Sequence, residues 1–286
     1  MALGNNRLAI VAGDGDLPRL LAEHCTFTGR EYIVILFAGF LPAWVENRPI
    51  FKADFEKPSR MFKMLEEGGF GYVTFAGAMQ RPQLNWTKFD LKFWRFAPKL
   101  IPAIKSSDDV TLRAITAIFE AEGIQIIGAH DVLEKLLAPS GIQTVTKMTK
   151  VDWADVKRGM DIAQALGRLD VGQGAVVAGG ICLGVESIQG TDAMLSFVCQ
   201  TGEQFRLHPE GAKGVLCKVP KPGQDWRVDL PSIGVATMVS AANAGLAGVA
   251  VQAGGVLVLG LEKTVAKADE LGLFLVGIDR DEAAFE

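Results

Sequence analysis

Leu8-Ala9-Ile10-Val11-Ala12-Gly13-Asp14-Gly15-Asp16-Leu17-Pro18 decides the fold of the first half of the chain. An apolar run enters a glycine turn, and the stretch Arg19 to Phe27 beyond it has helical character. A second apolar run, Tyr32 to Phe37, completes the series strand, glycine turn, helix, strand. The pattern recurs downstream. A helix expected over Ser59 to Glu67 leads through Gly68-Gly69 into a strand over Tyr72 to Phe75, and a helix over Asp109 to Glu122 leads through Gly123 into Ile124 to Ile127. Alternation of this kind predicts a parallel sheet with right-handed crossovers. The expected fold class is α/β, with a Rossmann-like parallel-sheet N-terminal domain joined to a mixed α+β C-terminal domain.

The composition shifts after His130, where Leu137-Ala138-Pro139-Ser140-Gly141 reads as a connector. The expected division is an N-terminal domain over residues 1–135, a linker over 136–147, and a C-terminal domain over 148–286. In the second half a helix is expected from Asp152 to Leu166, with Asp152 as its N-cap. Gly179-Gly180 between two apolar runs signals a hairpin, because both turn positions tolerate positive φ. Strands fit Val215 to Val219, Gly248 to Gln252, Val256 to Leu259 and Leu273 to Val276, and helices fit Asp192 to Val198, Gly234 to Ala244 and Glu262 to Leu271.

Of 286 residues, 49% are hydrophobic and 32 are glycine, which fits a compact α/β protein of about two domains. A net charge of -4 provides no global basic field for nucleic acid. His24, His130 and His208 are scattered, and no histidine or cysteine spacing suits zinc. Cys25, Cys182, Cys199 and Cys217 show no close pairing pattern, and with no signal peptide the expectation is reduced thiols in a cytoplasmic protein. No apolar run reaches the roughly 20 residues that span a bilayer.

Four segments carry candidate chemistry. The Gly13–Pro18 turn invites a dinucleotide reading, but Pro18 replaces the third glycine and Asp14 and Asp16 bring negative charge to the place of a pyrophosphate. A tight turn with Asp16 as helix cap and Pro18 in the first turn explains the same residues. Between Met79 and Ser107, Arg81, Lys88, Lys92, Arg95, Lys99 and Lys105 interleave with Trp86, Phe89, Phe93, Trp94 and Phe96. Pro82, Pro98 and Pro102 leave no sustained helical period, so this reads as a long insertion that packs on its own domain or, given the negative net charge, meets lipid rather than single-stranded nucleic acid. Gln189-Gly190-Thr191-Asp192 opens a helix with a hydroxyl and a carboxylate, a setting for phosphate and a hard cation or simply for helix capping. Finally, Lys218-Val219-Pro220-Lys221-Pro222-Gly223-Gln224-Asp225-Trp226-Arg227-Val228-Asp229 gathers cations and carboxylates on a proline-stiffened loop after a strand.

Taken together, the motifs resemble one family. Ala12 to Pro18, Ile127-Gly128-Ala129-His130-Asp131, Val171-Gly172-Gln173, Val185 to Met194, Lys221-Pro222-Gly223-Gln224-Asp225, Asp229 to Gly234 and Val251-Gln252-Ala253-Gly254-Gly255 are similar, over nearly the whole chain, to the UDP-2,3-diacylglucosamine pyrophosphatases of lipid A biosynthesis that are not metallophosphoesterases. The resemblance implies hydrolysis of the diphosphate of UDP-2,3-diacylglucosamine to UMP and 2,3-diacylglucosamine 1-phosphate (lipid X). Water attacks the sugar-side phosphorus, magnesium is required, and two domains hold the substrate between them. It also implies that Asp225 is essential.

On that footing the expected catalytic residues are Asp225, Asp192, Lys218 and Lys221, with Asp225 and Asp192 as ligands of Mg2+. The expected substrate contacts are Gly13, Asp14, Gly15, Thr74, Gly77, Met79, Lys147, Gln189, Gly190 and Thr191. Arg227, which could also neutralise the diphosphate, and Asp229, which could also hold the ion, are read as shaping the turn. The expected partners are UDP-2,3-diacylglucosamine, lipid X and, peripherally, the cytoplasmic face of the inner membrane, without nucleic acid. A homo-oligomer is left open. The alternative is a non-catalytic protein that binds a lipid or a nucleotide sugar.

Overall fold

The computed structural model describes residues 7–37, 39–79, 85–106, 108–206 and 213–279, so Arg81, Pro82, Ser107 and His208 lie outside the described residues. The chain forms two compact units. One is Met1–Glu134 with Asp225–Asp229, and the other is Lys135–Gln224 with Leu230–Glu286.

The first unit begins with β1 (Leu8–Ala12), α1 (Leu17–Thr28), β2 (Tyr32–Phe37), β3 (Ile50–Ala53), α2 (Pro58–Glu67) and β4 (Tyr72–Ala76). It continues with α3 (Leu91–Ile104), α4 (Asp108–Ala121), β5 (Gln125–Ile126) and α5 (Ala129–Val132). The strands form one parallel sheet in the order β3-β2-β1-β4-β5. Strand order reverses between β1 and β4, so the carboxyl ends of those two strands form the switch point. Alternation along β1 sends Ala9 and Val11 into a core with Phe62, Phe96 and Phe119 from α2, α3 and α4. Leu8 and Ile10 face the other way, and α1 packs on β1 there with Leu21, Ala22 and Cys25 buried.

The basic-aromatic stretch differs from its sequence reading. Its centre is the helix α3, even though Pro98 and Pro102 lie inside it. Asp90 caps it, accepting from Phe93 N at 2.7 Å and from Ser59 N at 2.9 Å. Burial of Phe93, Phe96, Ala97 and Ala103 on one face compensates for what the prolines remove, and tertiary packing overrides the local breaker signal.

The second unit contains β6 (Gly141–Ile142), α6 (Lys150–Arg168), β7 (Gly174–Ala178), β8 (Ile181–Val185), α7 (Gly190–Thr201) and β9 (Val215–Lys218). Then follow β10 (Ser232–Gly234), α8 (Val235–Asn243), β11 (Gly248–Gln252), β12 (Leu257–Leu259), α9 (Leu261–Glu270) and β13 (Phe274–Ile278). Six strands form a mixed sheet, β6-β13-β11-β9-β7-β8, in which β9, β11 and β13 run parallel and β6, β7 and β8 pair antiparallel. Val215, Cys217 and Val219 face α6, while Leu216 faces the core shared with α7, α8 and α9. The Gly179-Gly180 hairpin forms with φ of 57° and 80°. The buried Asp155 carboxylate locks it, accepting from both of those N–H groups at 2.9 and 2.7 Å.

The N-cap of α6 is corrected by the structure. Thr149 is the cap, and Asp152 sits three residues later, completing a capping box by accepting from Thr149 N at 2.8 Å. Asp16 does precede α1, but its side chain makes no cap bond and instead holds Arg19 at 2.9 Å.

Candidate active site

At the switch point of the first unit, two loops zip together. Asp14 and Ala78 form an isolated antiparallel bridge, with Asp14 N on Ala78 O at 2.8 Å and Ala78 N on Asp14 O at 3.0 Å. Glycine is required on both sides. A Cβ at Gly13 would stand 2.3 Å from Ala78 O, and one at Gly77, where φ is 85°, would stand 2.3 Å from Asp14 O. The approach of backbone to backbone therefore accounts for Gly13 and Gly77. Gly15 has φ of 99° and open space around it, and its N–H donates to the exposed Asp14 carboxylate at 2.8 Å. Thr74 is wholly buried in β4 with a hydroxyl that has no partner among the described residues, and Met79 is exposed just past the bridge.

Asp225 belongs to the same unit. The chain leaves β9, makes a tight turn in which Lys221 N donates to Gln224 Oε1 at 3.0 Å, and Asp225–Asp229 then joins the first unit. Val228 packs against the core that holds Ile118 and Phe119. Arg227 grips Asp225 with a fork: Nε to Oδ1 at 3.0 Å and Nη2 to Oδ2 at 2.7 Å. Arg227 N also donates to Oδ1 at 3.0 Å, and Nη1 reaches Glu120 Oε1 on α4 at 2.8 Å. The Arg227 hydrogen bonds, chiefly those of its side chain, hold the Asp225 carboxyl below the usual carboxylate range, and burial only partly offsets them. Asp225 is thus an ionised, oriented carboxylate at neutral pH.

The second unit builds a buried polar cluster at the carboxyl edge of its parallel strands. Lys218 ends β9 at 4% exposure, and its ammonium donates to Thr191 Oγ1 at 2.7 Å and to Ser232 O at 3.2 Å. Glu186, just past β8 and 7% exposed, accepts from the Thr191 hydroxyl at 3.0 Å and lies 3.7 Å from the ammonium. Gly172 and Gly174 make room for it, since a Cβ at either would stand 2.1 Å from Glu186 O or 2.6 Å from Glu186 Oε2. Beside this edge the buried Gln173 Oε1 has no partner among the described residues.

Of the other residues expected in this unit, Lys221 is paired with Asp170 at 2.7 Å. Gly190 opens α7 with φ of 84°, and Asp192 is exposed in its first turn. Gln189 accepts from the Ser187 hydroxyl, and Lys147 is exposed ahead of α6.

The structure thus brings together Lys218, Thr191 and Gly190 in one unit, and Asp14, Gly15 and Gly77 in the other, which also holds Asp225. Sequence reasoning missed Glu186 as the buried counter-charge of Lys218, and it read Arg227 as a diphosphate cation or a turn-shaping residue rather than as the clamp on Asp225. Glu186 lies within the Val185–Met194 motif, but nothing in that run marked it as a partner of Lys218. For Arg227, the spacing Asp225-x-Arg227 within a proline-ended loop was the available signal.

Residues 7–136 match the family model of the LpxI N-terminal domain, and residues 139–276 match that of the LpxI C-terminal domain. The chain belongs to the LpxI family. One LpxI relative, the UDP-2,3-diacylglucosamine pyrophosphatase LpxI of Caulobacter vibrioides (strain ATCC 19089 / CIP 103742 / CB 15), is 41% identical over 276 residues, which cover 96% of this chain and 99% of the relative. Among solved structures, CobK precorrin-6A reductase aligns over 96% of this chain and 88% of its own, at 15% identity and a TM-score of 0.29.

The donor set of this LpxI chain bears on magnesium. Among the described residues, no group of three or more His, Cys, Asp or Glu side chains could cage a metal ion. Magnesium needs no such cage, because one or two carboxylates suffice when water and phosphate oxygens complete its shell. The ionised Asp225 is a hard oxygen donor of the required kind, so the residues fit an ion held mainly by water and substrate.

Proposed function

We propose that the protein hydrolyses UDP-2,3-diacylglucosamine to UMP and lipid X, as a magnesium-dependent step of lipid A synthesis at the cytoplasmic face of the inner membrane. The 41% identity to a UDP-2,3-diacylglucosamine pyrophosphatase over nearly the full chain carries this reading. In it, water adds to the sugar-side phosphorus, the bond from that phosphorus to the bridging oxygen breaks, and UMP leaves with that oxygen. Asp225 is the residue that takes the proton of the attacking water or binds the ion, with the exposed Asp192 as the second carboxylate. Magnesium, when bound, would offset negative charge on the diphosphate as it builds in the transition state.

The cations divide by environment. Lys221 is half-buried, and its contact with Asp170 can be exchanged for one with a phosphate oxygen. Lys218 lies deeper, where it acts by fixed charge and by holding Thr191 at the start of α7, whose first-turn N–H groups favour an anion. The Asp14 and Gly77 loops, at the switch point of the first sheet, are the proposed contacts for the nucleotide.

The test is UMP release from the dispersed substrate with and without magnesium, for the parent protein and for Asp225→Ala with its fold checked by circular dichroism. We expect release from the parent only with magnesium and a loss of about 100- to 10,000-fold in the variant, the range for removing a general base. Parent-like turnover by Asp225→Ala would remove Asp225 from the mechanism. Substrate binding by the parent without UMP release would favour the non-catalytic reading. Heavy-oxygen water should label lipid X and not UMP.

A further inference from the structure

The outward face of α3 takes no part in the proposed chemistry. Its exposed residues are Leu91, Trp94, Arg95, Pro98, Lys99 and Pro102, with Lys105 just past the helix end. Those positions recur every three or four residues and so form one stripe along the helix. Leu91 is 90% exposed and Trp94 52%, so two large apolar side chains lie one turn apart at one helix end. The cations follow from Arg95 toward the other end. Over residues 85–106 the only acid is Asp90, whose carboxylate is spent on the backbone of Phe93 and Ser59. Glu122 meets the stripe at its edge, pairing with Lys92 and lying 3.7 Å from Arg95. Among the described residues, Lys99 and Lys105 pair with no carboxylate.

We propose that this face of α3 docks the protein on an anionic lipid bilayer, with Leu91 and Trp94 entering the interface and Arg95, Lys99 and Lys105 lying over the headgroups. Charge decides for this occupant. The chain carries a net -4, so a stripe with three cations and one carboxylate at its edge is a local exception that complements anionic headgroups. Lying in the membrane plane, the helix spreads Arg95, Lys99 and Lys105 over about 15 Å. Single-stranded nucleic acid fits less well, because it needs several open aromatic faces. Here Phe93 and Phe96 are buried, and Phe89 is stacked on Phe93 at 3.7 Å. The proposal rests on the hydrolase reading only in that a diacylated substrate resides in a membrane.

The full-length protein is floated with phosphatidylcholine vesicles, with and without phosphatidylglycerol, alongside Lys99→Gln/Lys105→Gln and Leu91→Ser/Trp94→Ser. The parent should bind only the phosphatidylglycerol vesicles and should leave them at high salt. The lysine variant should bind on the order of 25-fold more weakly, from roughly fivefold per cation. The Leu91/Trp94 variant should lose binding as well, and Trp94 emission should shift to the blue on binding. Both variants should release UMP from detergent-dispersed substrate at the parent rate. Absence of parent binding, binding equal in all three proteins, or preference for an oligothymidylate would overturn the docking surface. Vesicle binding without UMP release would sink the hydrolase reading and leave the surface standing.

Discussion

Replacing Lys218 by methionine tests the buried cluster of the second unit. The Lys218 and Glu186 side chains are 5% and 9% exposed, so neither charge can turn to water when the other is removed. Methionine keeps the aliphatic stem, and the perturbation is therefore electrostatic rather than a cavity. The Glu186 carboxylate would retain the Thr191 hydroxyl at 3.0 Å but lose the cation 3.7 Å away. Breaking a buried pair by removing one partner destabilises by about 3–5 kcal/mol, because the remaining charge is left uncompensated. Lys218→Met/Glu186→Gln removes both charges and keeps an acceptor for Thr191. It should regain about 2 kcal/mol or more relative to the single variant, since residues in contact are non-additive on this scale. Urea unfolding followed by circular dichroism measures both, with an unchanged slope showing that stability alone has moved. A Lys218→Met midpoint matching the parent, or a double variant weaker than the sum of the two singles, would refute the uncompensated-charge argument.

The Asp225 fork makes a prediction in pH. Arg227 holds the folded Asp225 value below the unfolded one, so the stability from this group is complete above the unfolded pKa and is lost as pH falls through the folded one. Arg227→Met removes the largest cause, and the acid limb of kcat/KM should move to higher pH; an unmoved limb would show that Asp225 does not set it. In the first unit, Gly13→Ala should destabilise by about 1–3 kcal/mol, because its Cβ meets a backbone oxygen that cannot swing aside. Gly15→Ala, strained but in open space, should cost about 1 kcal/mol. Thermal unfolding ranks the two, and equal midpoints would show that the Asp14–Ala78 bridge does not constrain the loop.

Legibility of the fold followed the range of the interaction. The apolar run Leu8–Ala12, its glycine turn and its helix are spaced by local rules, and the structure repeats them as β1 and α1 in a parallel sheet. Gly179-Gly180 was equally readable, because a two-residue turn demands positive φ at both positions. α3 was not readable, since Pro98 and Pro102 are local breakers and the packing of Phe93 and Phe96 that outweighs them comes from elsewhere.

The candidate site divides in the same way. Residue types and order along the chain were enough to place Asp225, Lys218 and Thr191 among the residues of interest and to mark the family. Only the tertiary structure decided their states. Lys218 is buried against Glu186 across 32 positions of sequence, and Asp225–Asp229 joins the unit that precedes it by about 100 residues through Arg227 and Glu120, which stand 107 apart. The pairing of such charges is set by which strands lie side by side at one sheet edge, and no local spacing encodes it.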